Sequence, residues 1–338
     1  MPNTTKKGFT IIELLTVMSI IIILLGVLVP ALNKTRRYAK TVVQRGQFHE
    51  ISKGLELFRN DHSENYPDSG ATAPDSLGTV RGYCGAMKLC EALLGQDGMG
   101  FNPLSQFTAD GIITEPNGNQ PDLYPFDLCT STDPTVYSGP TATNPGLSTN
   151  LQSRIKYVDA ENIKATRLQD LYTWDITTFG VSFYTPTVAF QATTNLYPYA
   201  YPNAVIGDVF LRADIKGAPR CTARAGQKAG MPVLYYKADS SKLNHDSITI
   251  PVPGTPNTNI YNFDDNYALT ALGCPWESGA APITLHPMYS DPRVFLKAIT
   301  NSQITSTPRP HREDSYILVS AGWDGLYGTR DDVYNFSE

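Results

Sequence analysis

The chain has 338 residues, with 27 Lys and Arg against 32 Asp and Glu and a net charge of -5. That balance provides no broad basic surface for phosphates, so no nucleic-acid partner is expected. At this length, even without an anchor helix, the chain can bury a sizeable core in one large or two modest globular units.

Residues 1–8 form a short leader ending in Lys6, Lys7 and Gly8. From Phe9 to Leu32 the only charged residue is Glu13. At about 1.5 Å per residue this segment makes a helix long enough to cross a hydrocarbon core. Lys6 and Lys7 hold its start on the cytoplasmic side, so the rest of the chain is expected to lie outside the cytoplasm. No small-residue cleavage site follows the apolar run, and Gly26-Val27-Leu28-Val29-Pro30 leads straight into polar helix, so the anchor is expected to be retained. A carboxylate inside such a span costs about 2.5 to 3.5 kcal/mol on insertion scales. Glu13 therefore either reaches water near the cytoplasmic interface or meets a counter-charge.

Lys7-Gly8-Phe9-Thr10-Ile11-Ile12-Glu13-Leu14 resembles the cleavable signal of type IV pilins and type II secretion pseudopilins. The resemblance covers about 25 residues, in keeping with a signal confined to one helix. It implies that a prepilin peptidase cuts between Gly8 and Phe9, that the new Phe9 amine is methylated, and that Glu13 pairs with the Phe9 amine of a neighbouring subunit. Pro30 falls where many pilins carry the proline at which the helix kinks or melts in the filament, consistent with its missing backbone donor.

The next segment, ALNKTRRYAKTVVQRGQFHEISKGLELFRNDHSENYP, keeps apolar residues at Ala31, Tyr38, Val42, Phe48, Ile51, Leu55 and Phe58. This spacing predicts an amphipathic helix to about Asn60, with a breaker over Asp61 to Asp68 in which Pro67 excludes further helix. LELFRNDHSENYP resembles the end of a pilin spine helix. Residues 68–150 are rich in Gly, Pro, Ser, Thr, Asn and Asp and read as a long insertion on the surface, with one helical island, AMKLCEALL, over Ala86 to Leu94. Beyond Arg154 strands are expected to dominate, most clearly at Pro232 to Lys237, and a short helix is expected over Pro292 to Ile299. The 19 tyrosines lack a repeated spacing, which favours core packing over a stacking platform for sugars or bases. MPVLYYKADSS and IYNFDDNYAL are similar to segments of large pilin-like proteins of planctomycete-type bacteria.

The tail, Ser315 to Val333, starts as a strand and ends as an acidic loop, placing Asp324, Asp331 and Asp332 within nine residues around Gly325 and Gly328. Hard oxygen donors in a tight turn suit calcium, and a solvated acidic turn is the alternative. The spacing is not that of an EF-hand. SAGWDGLYGTRDDV resembles the calcium loop that closes the major pseudopilin of type II secretion. That resemblance implies Asp324, Asp331 and Asp332 as side-chain ligands and Leu326 as a carbonyl donor, in a shorter loop.

Cys84, Cys90, Cys129, Cys221 and Cys274 would face an oxidising space, where one or two disulfides are expected and Cys84, Cys90 and Cys129 could pin the insertion. The five histidines lack zinc-ligand spacing, and no GxSxG, HExxH or P-loop pattern points to catalysis. The reading is an α+β, type IV pilin-like protein: leader 1–8, membrane-spanning and filament-core helix 9–32, spine 33–62, and an extracytoplasmic domain 63–338 closed by a calcium loop at 320–333. The resemblance implies a homo-oligomeric filament subunit, handled by the inner-membrane assembly platform of a pilus or type II secretion machine. The alternatives are a minor pseudopilin or adaptor that binds secreted substrates, and a membrane-anchored calcium-dependent binding protein that never polymerises.

Overall fold

A computed structural model describes residues 11–74, 80–96, 98–109, 111, 123–124, 153–172, 204–214, 228–252, 255–276, 284–304 and 306–337. The chain divides into two units, Met1–Val43 and Gln44–Glu338. The first is represented by the start of helix α1, which covers Ile11–Asp61 and keeps helical geometry through Pro30.

The second unit begins with the C-terminal part of α1 and continues with β1 (Thr72–Pro74), β2 (Val80–Gly82), α2 (Gly85–Leu94), α3 (Ala160–Ile163) and β3 (Ala165–Arg167). Next come α4 (Leu168–Leu171), β4 (Ala204–Ile206), β5 (Ala213–Asp214), β6 (Lys228–Ala229) and β7 (Leu234–Lys237). A 3-10 turn at Phe263–Asn266 precedes α5 (Tyr267–Thr270), α6 (Pro287–Ser290), α7 (Arg293–Ala298), β8 (Tyr316–Ser320) and β9 (Val333–Tyr334). Among the described residues the strands form three antiparallel pairs, or two-stranded sheets, and one three-stranded antiparallel sheet ordered β7-β8-β9.

The three-stranded sheet organises this unit. Tyr235 pairs with Leu318 and Tyr236 with Ile317, and successive side chains of a strand point to opposite faces. Tyr235, Tyr316 and Leu318 join the core with Phe48, Ile51, Leu55 and Phe58 of α1. Tyr236, Ile317 and Val319 join the core built from Phe263, Leu269, Phe295, Leu296 and Tyr327. All five residues of β8 are buried, which explains why YILVS reads as an unbroken apolar run rather than an alternating one. Burying the four large α1 side chains is worth about 1.5 to 3 kcal/mol each, an upper estimate because unfolded chains already bury some surface.

Two buried glutamines complete the docking of α1. Gln47 Nε2 donates to the Gly207 carbonyl at 2.9 Å, and Gln44 Oε1 accepts from the Val209 amide at 2.9 Å. Polar side chains at these two points meet backbone groups beside β4 that would otherwise be buried without partners.

The structure revises the expected surface insertion. The helical island is α2, and all ten of its residues are buried. It lies between the two cores, with Ala86 and Met87 on one side and Leu89, Cys90 and Leu93 on the other. Its two charges are buried with partners: Lys88 Nζ bonds Asp68 Oδ2 at 2.6 Å, while Glu91 accepts from Tyr83, Ser105 and Gln96. Those partners lie within 20 residues on either side, but only the fold turns them back onto the helix, so composition could not place it inside. Cys84 and Cys90 are buried free thiols and do not pin the insertion. Burial raises them to about 11 and about 12, away from reactive thiolate. Cys129, Cys221 and most of the expected strands between 173 and 203 lie outside the described residues.

Candidate functional sites: the apolar helix and the acidic loop

The N-terminal part of α1 contains the stretch suited to a membrane. Its most apolar 18-residue window has a mean hydropathy of 2.8 and no buried residues. Its large side chains are exposed, from Ile11 at 85% to Leu32 at 46%. Two hydroxyl residues of this stretch satisfy themselves locally, as hydrocarbon demands. Thr16 Oγ1 donates to the Ile12 carbonyl at 3.0 Å and Ser19 Oγ to the Leu15 carbonyl at 2.8 Å. Glu13 lies in the first described turn. Gly8 and Phe9, the expected cleavage and methylation positions, lie outside the described residues.

That helix is where the chain meets a known family. The family described as a prokaryotic N-terminal methylation motif matches residues 3–29. The chain carries a prepilin-type methylation motif. The motif, set on a long apolar helix ahead of an α+β unit, supports a type IV pilin-like or pseudopilin subunit. It implies processing by a prepilin peptidase and assembly into pilus-type filaments, and it fits a membrane-anchored chain. No curated protein and no solved structure matches the chain.

The second site is the loop between β8 and β9. Three glycines shape it with left-handed backbone: Gly322 at φ 65°, Gly325 at φ 75° and Gly328 at φ 93°. A Cβ at Gly322 would strike the Asp331 carbonyl, and one at Gly328 would lie 2.6 Å from the Met288 amide nitrogen. Tyr327, 1% exposed, fastens the middle of the loop. Its amide donates to His286 Nδ1 at 3.3 Å, its carbonyl accepts from the Met288 amide at 3.0 Å, and its hydroxyl donates to the Pro232 carbonyl. At the loop's entry Ser320 Oγ donates to Asp208 Oδ2 at 2.8 Å, and Asp208 Oδ1 accepts from the Phe210 and Met231 amides.

Asp324 and Asp331 are neighbours across the loop, with Asp331 packed against Gly322. The Asp324 amide donates to Asp331 Oδ2 at 2.9 Å, and the Leu326 amide donates to Asp324 Oδ1 at 2.8 Å. Burial and then the Asp331 charge raise the Asp324 carboxyl above its ordinary range. Burial also works against the Asp331 charge, but hydrogen bonds from Thr329 and the Asp324 amide outweigh it and hold this group low. Asp332 turns inward, where its Oδ2 accepts from the Gly328 amide at 2.7 Å and the Tyr334 hydroxyl at 3.3 Å. Its Oδ1 is buried without a hydrogen-bond partner, and burial pushes its carboxyl up to about 8.

The donor chemistry, carboxylate and carbonyl oxygen with an uncompensated buried Oδ1, fits a hard cation. The side chains as placed do not converge fully, since among the described residues no three His, Cys, Asp or Glu groups are gathered at metal-ligating positions. Sequence reasoning missed Asp208, His286 and Tyr327 as the loop's supports. The Ser320–Asp208, Tyr327–His286 and Tyr327–Pro232 bonds span 41 to 112 residues, and no local pattern marks them.

Proposed function

We propose that this chain is a structural subunit of a type IV pilus-like or type II secretion-like pseudopilus filament, assembled through α1 after a prepilin peptidase removes residues 1–8. The methylation motif at residues 3–29, on a helix whose apolar side chains have no cover within their own unit, carries the reading. In the membrane that surface faces lipid; on extraction into a filament it needs replacement cover, which identical helices provide. Cleavage before Phe9 exposes an amine, and Glu13 lies four residues further on. In an apolar filament core an ion pair between Glu13 and the Phe9 amine of a neighbour relieves the cost of burying the carboxylate and sets the axial stagger between helices. On this reading the unit from Gln44 onward lies outside the cytoplasm, and the partners are the inner-membrane assembly platform and further copies of the chain.

Calcium belongs to the same proposal. Asp324, Asp331 and the Leu326 carbonyl would hold the ion at the loop, and Asp332 would complete its charge from the inner side. The ion's chemistry there is electrostatic: it offsets carboxylates that otherwise repel and orders the closing loop.

The deciding experiment is mass analysis of the mature protein from cells that express a prepilin peptidase, combined with electron microscopy of sheared material. The expected result is a methylated chain beginning at Phe9 within regular filaments. A processed chain that never leaves the membrane would support the non-polymerising binding protein, and its presence only at filament tips would support the minor-subunit reading.

A further inference from the structure

Two exposed apolar patches are rooted on opposite faces of the three-stranded sheet. The first is on the loop between Asp239 and Ile260. Its base is closed: the Asp239 amide donates to the Ile260 carbonyl and the Ile260 amide to the Asn244 carbonyl, both at 2.9 Å. Within it Asp246 Oδ1 accepts from the Ile248 and Thr249 amides at 2.9 and 3.0 Å, and the Asp246 amide donates to Asn259 Oδ1 at 2.8 Å. His245 Nε2 meets Thr300 Oγ1 at 2.8 Å, which ties the loop to the chain just past α7. A loop so held is pre-organised, and it presents Leu243, Ile248, Ile250 and Val252 to solvent, Ile248 at 79% exposed.

The second patch is Met99, Leu104 and Ile155, with Leu104 at 64% exposed. Phe101 and Ile155 exchange backbone bonds at 2.8 and 3.0 Å, and the Leu104 amide donates to Asn102 Oδ1 at 3.0 Å, so residues 99–104 are fixed beside Ile155. Phe101 belongs to the core with Tyr235 and Leu318, whereas Ile260 and Ile299 belong to the core with Tyr236 and Ile317. Successive strand side chains point to opposite faces, which puts the roots of the two patches on opposite sides of β7 and β8.

The charges around the patches are complementary. Residues 239–252 carry Asp239, Lys242 and Asp246, one negative charge net, and both aspartates are exposed. Hydrogen bonds from Ser241 and from Thr249 hold the Asp239 and Asp246 carboxyls below their ordinary range. Residues 98–105 carry no charge, and residues 153–159 carry Arg154, Lys156 and Asp159, one positive charge net, with Lys156 exposed. Apolar patches rimmed by charge mark contact surfaces. A two-fold contact would set like charge against like, whereas a head-to-tail contact pairs the two patches and repeats from copy to copy. The two aspartates also count against an anionic lipid surface as the occupant.

We propose that the loop carrying Leu243, Ile248, Ile250 and Val252 docks on the Met99, Leu104 and Ile155 patch of a second copy of this chain. The inference rests on the filament reading, which supplies the row of identical copies, but this contact lies between the units from Gln44 onward and is separate from the packing of α1.

Photo-cross-linking in cells that express the full chain with a prepilin peptidase tests this. A photoreactive residue at the exposed Val252 position should give a dimer joined to residues 98–105 or 153–159 of the other copy, located by mass spectrometry. Ile248→Asp and Leu104→Asp should each cut that dimer about tenfold or more, the loss in association expected for one buried aliphatic side chain. Lys156→Glu should lower it a few-fold by setting a further acid opposite Asp239 and Asp246. No dimer, a dimer joined at any other segment, adducts only with lipid or with another protein, or a dimer unchanged in both aspartate variants overturns the proposal. Regular filaments without this cross-link would remove the contact and leave assembly through α1 standing. The cross-link in a chain that never leaves the membrane would keep the contact and remove the filament.

Discussion

Gly46 and Gly54 of α1 offer the same substitution in one helix with opposite expected signs. Gly46 is exposed, and a Cβ built there meets nothing within 4 Å. Gly46→Ala should therefore return only the backbone-entropy gain of a helical Gly to Ala change, about 0.5 to 1 kcal/mol. Gly54 is buried where α1 crosses α2 and the segment before α3. A Cβ there would overlap Val158 Cγ2, lie 2.9 Å from Leu93 Cδ2 and sit 3.3 Å from the Tyr157 carbonyl oxygen. Val158 is β-branched and stiff, and the carbonyl belongs to a backbone bonded at 3.2 Å through the Tyr157 amide to Leu93, so neither gives way easily. Overpacking of this kind costs about 1 to 3 kcal/mol, which exceeds the entropy gain. Gly54→Ala should lower the unfolding temperature of the full chain in detergent by a few degrees, at about 2 °C per kcal/mol for a unit of this size, and Gly46→Ala should raise it slightly. Equal stabilisation of both variants would show that the close approach at Gly54 is not real and that α1 is held by propensity rather than packing.

Glu13→Ala should insert in the membrane and lose its leader normally but assemble poorly, as read by mature mass and filament yield; normal filaments would remove the inter-subunit ion pair. Replacing Gly8 with a bulky residue should block processing, and a mature mass beginning at Phe9 in that variant would show that the cut is elsewhere. Asp265→Asn should raise stability at neutral pH and flatten its pH dependence. The folded carboxyl titrates at about 7 against an ordinary 3.8, so its contribution is fully present below about pH 4 and lost as pH rises through about 7, on the order of 4 kcal/mol in all. Denaturant titrations from pH 4 to 8 measure it, and an unchanged slope in the variant would assign the dependence to another group. Saturating calcium at about 100 times Kd should add about 2.7 kcal/mol, and chelation should lower the melting temperature in wild type but hardly in Asp324→Ala or Asp331→Ala. Identical melting and identical protease resistance near Trp323 with calcium and with chelator would leave the loop a solvated turn.

The part of this protein that acts through local rules was readable from residue order alone. An apolar run behind a basic start, with a single glutamate, marks a helix long and apolar enough for a membrane and a methylation motif, because both are properties of one continuous segment. The helical period through Phe48, Ile51, Leu55 and Phe58 likewise announced the buried face of α1, and the β-branched and aromatic runs announced β7 and β8. Tertiary structure decided what depends on how the chain folds back on itself. It turned α2 from a surface island into the filling between two cores, because Asp68, Tyr83, Gln96 and Ser105 supply the bonds that let Lys88 and Glu91 be buried. It also made Asp265 a buried titrating group and tied the acidic loop to Asp208 and His286. Whether a charged residue can lie inside is settled by who meets it there, and a residue's neighbours in sequence do not say.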